Sequence, residues 1–288
     1  LLATLGLPSD QQRLSIIEAV HDATTSWAIA SPLSNMLVRC TRGIEPLSCE
    51  KATLSELTSI SALGSTVELA AMDDLSSLWV LGTSPTGEGI FLIGDNGALT
   101  PSCSPSDVSC DLGGYLGVAR LSDSSLVAIG RAPALLRLVP GETWSRFAFP
   151  TLPPVSTSEA LTPAPSTEAS VKVQSYLVDG GQVYLFSVQR ICSDSSCADG
   201  SLRLLMTRYQ AGSGFSNTAI ELTKSICTAP STRCRCTSPE SCAALEGRMF
   251  VAGAVIVDER VVIAGTLPES DSETTTAFTI AIPRAPQP

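Results

Sequence analysis

Ten cysteines are the residues of this 288-residue chain whose type and spacing speak most directly of chemistry. Six form close pairs: Cys40 with Cys49, Cys103 with Cys110, and Cys192 with Cys197. The other four cluster at Cys227, Cys234, Cys236 and Cys242. Each pair flanks a Ser/Pro/Asp-rich stretch, the pattern of local disulfides that pin surface loops. Loops this short stabilise by about 2–3 kcal/mol each in the chain-entropy picture. The cluster allows three connectivities, and the spacing does not choose among them. Its rival use is zinc, but no Cys-x-x-Cys knuckle occurs and the single histidine, His21, is far away in sequence. Disulfides are therefore expected, with no metal and no cofactor. Since disulfides persist in oxidising compartments, the expected address is extracytoplasmic: periplasm, cell surface or secreted.

Other chemistries find little to work with. His21 lies beside Asp22 in an expected hairpin turn, but no Gly-x-Ser-x-Gly elbow supplies a nucleophile. There is no Gly-x-x-x-x-Gly-Lys-Ser/Thr phosphate cradle. The acidic pieces Asp194 to Asp199 and Glu269 to Glu273 lack the alternating ligands and glycine of a calcium loop. Glycoside hydrolysis needs two facing carboxylates. The acids in the expected channel-lining strands are Glu18 and Glu68, and both are read as lying mid-strand. Arg120, Arg131 and Arg190 are too scattered along the chain to form a carboxylate-binding cluster. No catalytic residue is expected.

The elements that would position such groups belong to a well-packed chain. Apolar residues make up 44% and charged residues 16%, which excludes an intrinsically disordered polymer. The net charge of -10 argues against a nucleic-acid partner, which calls for a basic face. No uninterrupted apolar run reaches membrane-spanning length. Met249 to Leu267 comes nearest and is broken by Asp258, Glu259 and Arg260.

A repeat organises the whole chain. Five times, a β-rich run ends in an acidic turn and a second, strongly apolar run follows. The first runs are Leu14–Val20, Val67–Met72, Tyr115–Leu121, Val173–Val178 and Met249–Val257, and the turn acids are Asp22, Asp74, Asp123, Asp179 and Asp258. The second runs hold equivalent positions at Trp27, Trp79, Val127, Tyr184 and Val262, spaced by 52, 48, 57 and 78 residues. The long last interval contains the cysteine cluster, read as an insertion. Third strands are expected at Met36–Arg39, Gly89–Ile93, Leu135–Val139, Leu202–Arg208 and Thr276–Ile282. Fourth strands are expected at Leu47–Thr53, Gly97–Thr100, Trp144–Phe149 and Thr218–Leu222.

A unit of about 50 residues with four short strands is a β-propeller blade. The expected fold is all-β: one five-bladed β-propeller over residues 1–288, with blades at about 12–57, 65–105, 113–152, 170–224 and 247–283. The last unit runs out after three strands. The apolar segment Ala3–Leu7 is expected to supply its outer strand and close the ring, since open edges invite aggregation. Gly82, Gly130 and Gly265 fall at equivalent places and are expected to relieve crowding at strand ends. Helical signal is nearly absent, apart from a turn or two at Leu54–Leu63.

Most insertions fall where a blade's second loop and the inter-blade connection lie, on one face: Pro101–Gly114, Thr151–Val171, Arg190–Ser201 and Lys224–Glu246. Binding usually sits on such loops. Arg131, Arg190, Asp194, Arg233, Arg235 and Asp271 are the candidate binding residues of that face. Thr151–Val171 is a Pro/Ser/Thr-rich spacer with two acids, Glu159 and Glu168.

In the third unit, Leu116-Gly117-Val118, Val127–Gly130, Leu135-Leu136-Arg137 and Gly141-Glu142-Thr143-Trp144 follow in order. This resembles the blades of bacterial-neuraminidase-repeat propellers and of photosystem-assembly-factor-like propellers. Their Asp box reads Ser-x-Asp-x-Gly-x-Thr-Trp. Gly141, Thr143 and Trp144 match it, while Arg137 and Val139 replace its Ser and Asp. Asp boxes are structural turns, so the resemblance implies a propeller in a secreted setting and transfers no catalytic residue.

The function expected is a non-enzymatic binding or assembly module that holds a protein partner or a surface glycan on its loop-rich face. The alternatives are a glycoside-processing enzyme with carboxylates at the channel mouth, or a structural subunit of a cell-surface appendage or envelope complex.

Overall fold

Valine, isoleucine and leucine in short runs between turn residues make strands here, because a pleated, half-buried surface suits branched side chains. A computed structural model describes residues 15–21, 25–31, 36–41, 48–51, 68–71, 78–84, 87–93, 99–103, 107–149, 170–191, 200–215, 220–222, 235–236, 238–268 and 275–284. Its described strands form five antiparallel sheets. The first runs in sequence order through β1 (Ser15–His21), β2 (Thr25–Ser31), β3 (Met36–Thr41) and β4 (Ser48–Lys51). The second is β5 (Glu68–Ala71), β6 (Leu78–Ser84), β7 (Gly87–Ile93) and β8 (Leu99–Cys103). The third is β9 (Tyr115–Arg120), β10 (Leu126–Gly130), β11 (Ala134–Leu138) and β12 (Ser145–Ala148).

The fourth sheet is built on β13 (Ser170–Asp179), β14 (Gln182–Ile191) and β15 (Gly200–Gln210). The fifth has β19 (Phe250–Val257), β20 (Arg260–Pro268) and β21 (Thr275–Pro283). Every run expected as a first, second or third strand thus has a strand on it. The fourth sheet departs from expectation at its outer edge. The long β15 pairs there with three short pieces: β16 (Gly214–Phe215), β17 (Ile220–Glu221) and β18 (Arg235–Cys236). Within Thr218–Leu222 the described strand is Ile220–Glu221, and Arg235–Cys236 of the cysteine-rich insertion pairs with β15 as well.

A β-bulge recurs at one register. One extra residue interrupts the first strand between Ile16 and Glu18, between Tyr115 and Gly117, between Val173 and Ser175, and between Val251 and Gly253. On the partner strands the interruption falls between Ile29 and Ala30, Ile129 and Gly130, Phe186 and Ser187, and Ala264 and Gly265. Counted from Trp27, Val127, Tyr184 and Val262, that is the same step each time. In the second sheet the described ladder ends at Glu68 opposite Leu81, at the same step from Trp79. Bulges sharpen the local twist of a strand. Their recurrence gives the sequence repeat a backbone counterpart.

The glycines beside two of these bulges are there for close approach. A Cβ on Gly130 would lie 2.2 Å from Leu112 Cβ and 2.6 Å from Leu112 O. One on Gly265 would lie 2.2 Å from Phe250 O. The expected crowding is real at both positions.

One helix was not expected. α1 (Pro239–Arg248) lies within and just beyond the insertion. Its start is written in the sequence: Ser238 is the N-cap, its side chain accepts from Ser241 N–H, the Ser241 hydroxyl answers the Ser238 N–H, and Pro239 and Glu240 open the first turn. The strand repeat draws attention away from that short signal. The expected strand Ala3–Leu7 and helical turn Leu54–Leu63 lie outside the described residues.

The chain divides into two compact units, residues 1–130 with 135–147 and residues 131–134 with 148–288. In the first, β5 lies beside both β1 and β9. β10 is buried from end to end, as a strand covered on both faces must be. In the second unit, β13 lies beside β19. Tyr184, Phe186, Val188, Leu202, Leu204 and Met206 of the fourth sheet share one core with Val251, Val261, Ile263 and Leu267 of the fifth.

Candidate functional site

One expected disulfide is present between its expected partners. Cys103 and Cys110 are bonded, with their Cα atoms 5.6 Å apart. Cys242 is fully buried and also disulfide-bonded. Cys40 stands opposite Cys49 in the β3–β4 ladder, and Cys236 opposite Gly200. Cys192, Cys197, Cys227 and Cys234 lie outside the described residues.

The Cys103–Cys110 loop is tied down by polar side chains. Asp107 accepts from Ser109 N–H and from its hydroxyl, which holds the Asp107 carboxyl below its usual range. Arg146 donates to the carbonyls of Val108 and Asp111. Trp144, at the end of the Asp-box-like turn, donates from Nε1 to Ser102 Oγ on β8 at 2.9 Å. Arg137, which replaces the Ser of the Asp box, makes a link of its own. It pairs with Asp123 and donates from Nε to Ser125 Oγ at 3.1 Å. Burial alone would raise the Asp123 carboxyl, but the two Ser125 donors and the Arg137 guanidinium hold it below the usual range.

Beside this loop, Glu88, Cys110, Asp111, Leu112, Gly114 and Tyr115 line a pocket of about 230 Å³. Glu88 accepts the Tyr115 N–H at 2.9 Å, and the Tyr115 hydroxyl donates to Cys110 O at 2.8 Å. Burial, with the Asp111 and Glu88 carboxylates nearby, pushes the phenol up to about 12, so it stays protonated. Nothing in the sequence pattern singles out Glu88 or Asp111; the acids it points to are Glu18 and Glu68, both expected mid-strand. Glu18 follows the β1 bulge, whereas Glu68 is the first residue of β5.

The second unit carries a different cleft, of about 360 Å³. Its walls are Arg131, after β10; Lys172 and Gln174, on β13; Ala243, Glu246 and Gly247, on one face of α1; and Phe250, which opens β19. The walls are fastened to one another. Val173 N–H donates to Arg131 O at 2.9 Å. Gln174, the extra residue of the β13 bulge, donates from Nε2 to Met249 O at 2.6 Å and accepts from Val251 N–H at 3.1 Å. Thr266 Oγ1 donates to Arg248 O at 3.2 Å, and Met249 N–H to Leu245 O at 2.9 Å, which joins α1 to the fifth sheet. Buried Cys242 anchors the helix from within.

Arg131 and Lys172 are exposed, and among the described residues no hydrogen bond or ion pair engages either head group. Glu246 carries the opposite charge on the helix wall, near the helix C-terminus with its partial negative charge. Phe250 is 49% exposed and adds an apolar surface to the lining.

Of the six binding candidates, Arg131 lines this cleft. Arg190 and Arg235 fall in adjacent rows at one end of the fourth sheet, opposite Leu202 and Ser201 respectively. Asp194, Arg233 and Asp271 lie outside the described residues. Lys172, Glu246 and Phe250 are not among the sequence candidates. A faint signal for Lys172 is its charge between two valines in a strand-forming run, which marks a solvent-facing position.

No family model matches the chain, and no curated protein matches it. Its structural neighbours include a structure of YCF48 bound to D1 peptide, a photosystem-assembly-factor propeller, at 11% identity and a TM-score of 0.43, covering 94% of this chain and 68% of that one. The periplasmic gluconolactonase PpgL of Pseudomonas aeruginosa is another, at 9% identity and a TM-score of 0.38, covering 93% and 70%. A third is the native Bacillus subtilis arabinanase Arb43A, at 11% identity and a TM-score of 0.32, covering 93% and 94%.

Proposed function

We propose that this chain is an extracytoplasmic, non-enzymatic binding module that holds a protein or a glycan in the Arg131–Lys172 cleft. The observation that carries the reading is the pair of exposed cations, Arg131 and Lys172, which have no ion-pair partner among the described residues, on hydrogen-bonded walls that also carry half-exposed Phe250. The hydrogen-bonded walls leave little backbone ordering to be met on binding, so the remaining cost is the ordering of the two cationic side chains, about 0.5–1.5 kcal/mol each. The Cys103–Cys110 and Cys242 disulfides support the extracytoplasmic address. The test compares the purified chain with an Arg131→Ala/Lys172→Ala variant against panels of peptides and polysaccharides. Binding lost in the variant supports the reading. Ligands held equally by both forms would move the site elsewhere.

The frame we propose is a single five-bladed propeller spanning residues 1–288. The recurring bulge and the side-by-side first strands support it. In the fifth sheet the described strands number three, and Ala3–Leu7 is the proposed fourth, paired with β21. Removing residues 1–8 should then lower the unfolding midpoint, and equal stability would dismiss the closure.

A second reading, a glycoside-processing enzyme, is favoured by Glu88 and Asp111 lining one pocket. A chromogenic glycoside screen tests it: hydrolysis that Glu88→Gln abolishes would displace the binding reading.

A further inference from the structure

The cleft's chemistry names its ligand more closely. Building on the proposed binding function, we infer that the cleft takes an acidic sugar residue of the uronate class. Its carboxylate would lie against Arg131 and Lys172, its hydroxyls against Glu246, and its apolar face on Phe250.

Two considerations favour a sugar acid over an extended peptide. A peptide docking on strands draws much of its affinity from main-chain hydrogen bonds to an open edge. Here backbone groups beside the cleft are already bonded. Val173 N–H is bonded to Arg131 O, and the Gln174 amide takes both Met249 O and Val251 N–H. What remains for a ligand is side chains: two cations, one carboxylate and one aromatic face. The second consideration is the arrangement of charge. An acidic peptide brings more carboxylates toward Glu246 and the negative end of α1, at a cost in repulsion. The uronate ring seated in the cleft brings a single carboxylate for the cations and several hydroxyl donors for Glu246, while the flanking rings of a short uronate chain, with their own carboxylates, extend outside it. The cleft, of about 360 Å³, suits one sugar ring with its substituents. The whole chain carries a net charge of -10, so the attraction is local to these side chains rather than a property of the overall field.

The probes are trigalacturonate, its methyl ester and a hexaglutamate peptide, titrated calorimetrically into the full chain at low salt. Trigalacturonate should bind, with the ester about tenfold weaker or more and hexaglutamate weaker still, because a charged hydrogen-bond partner is lost or repelled. Arg131→Ala, Lys172→Ala, Phe250→Ala and Glu246→Gln should each weaken trigalacturonate by about tenfold. Lys172→Arg should retain it, which separates loss of charge from loss of fold. If the ester binds as well as the acid, recognition of the carboxylate is wrong. If hexaglutamate binds more tightly and Arg131→Ala abolishes it, the sugar class falls while the cleft remains a binding site. If none of the three probes binds, the sugar class falls while the cleft reading stands on its own panel test; if trigalacturonate binding survives both Arg131→Ala and Lys172→Ala, the site lies elsewhere and both fall.

Discussion

Gly130→Ala is the sharpest test of how the repeating unit is built. The new methyl carbon would sit 2.2 Å from Leu112 Cβ, 2.6 Å from Leu112 O and 2.7 Å from Gly114 O. None of these atoms is the free end of a flexible side chain, so relief requires the 112–114 backbone to retreat by about 1 Å in a close-packed setting. That segment carries Leu112, which is 1% exposed, and leads into Tyr115, whose N–H is bonded to Glu88. Overpacking of this kind costs about 1–3 kcal/mol, and against backbone atoms the upper end applies. Opposing it, replacing glycine by alanine narrows the unfolded ensemble and returns about 0.4–1 kcal/mol. The net expectation is a loss of about 2 kcal/mol, or a midpoint lowered by roughly 4–8 °C at about 2–4 °C per kcal/mol in a chain of this size. Gly253→Ala is the matched control. It too borders a bulge, on the first strand β19 where Gly130 is on the second strand β10, but nothing lies within 4 Å of its added methyl, so it should be neutral or slightly stabilising. Thermal unfolding by circular dichroism reads both, and hydrogen exchange at the β9–β10 amides localises the damage. If Gly130→Ala proves as stable as the parent, close approach is not why glycine stands beside the bulge, and the spatial reading of the repeat loses its main support.

Four further outcomes are expected. Cys103→Ser/Cys110→Ser should cost about 2–3 kcal/mol through a freer unfolded chain, and a reductant should lower the parent's midpoint by more than the variant's, which still holds the Cys242 disulfide. Gln174→Leu leaves Met249 O and Val251 N–H without their partner and should cost about 1–3 kcal/mol in a urea titration. Asp123 has its carboxyl held low in the folded state, so its stabilisation is complete above the ordinary aspartate value of about 4 and fades as acidity protonates it. Asp123→Asn should make the acid limb of the stability profile shallower. Tyr115 is shifted the other way, to about 12, so the stability it brings is intact below about 10 and is lost as pH rises towards 12; absorbance titration of Tyr115→Phe against the parent should show one high-titrating phenol fewer.

Period is what made the fold legible. Trp27, Val127, Tyr184 and Val262 align because a strand buried on both faces must be written in apolar residues, and the backbone places a bulge at one step from each. The glycines are readable for a related reason: Gly130 and Gly265 stand beside the bulges, where Leu112 and Gly114 next to the one and Phe250 and Phe278 next to the other leave no room for a side chain. The cleft obeys no such rule. Arg131 and Lys172 are 41 residues apart, and Phe250 is 78 residues beyond Lys172. They meet because a bulge turns Gln174 out of the ladder and lets its amide hold β19 against β13. The residue that assembles the site is thus an uncharged glutamine that binds nothing itself, in a strand whose pattern announces only burial. The helix wall was hidden differently, since its signal is a few residues long and sits among cysteines that suggest a loop. Sites made of cations on separate elements become readable only once the bulged strands that carry them are in place, and the repeat that fixes those bulges is therefore the feature on which the binding chemistry depends.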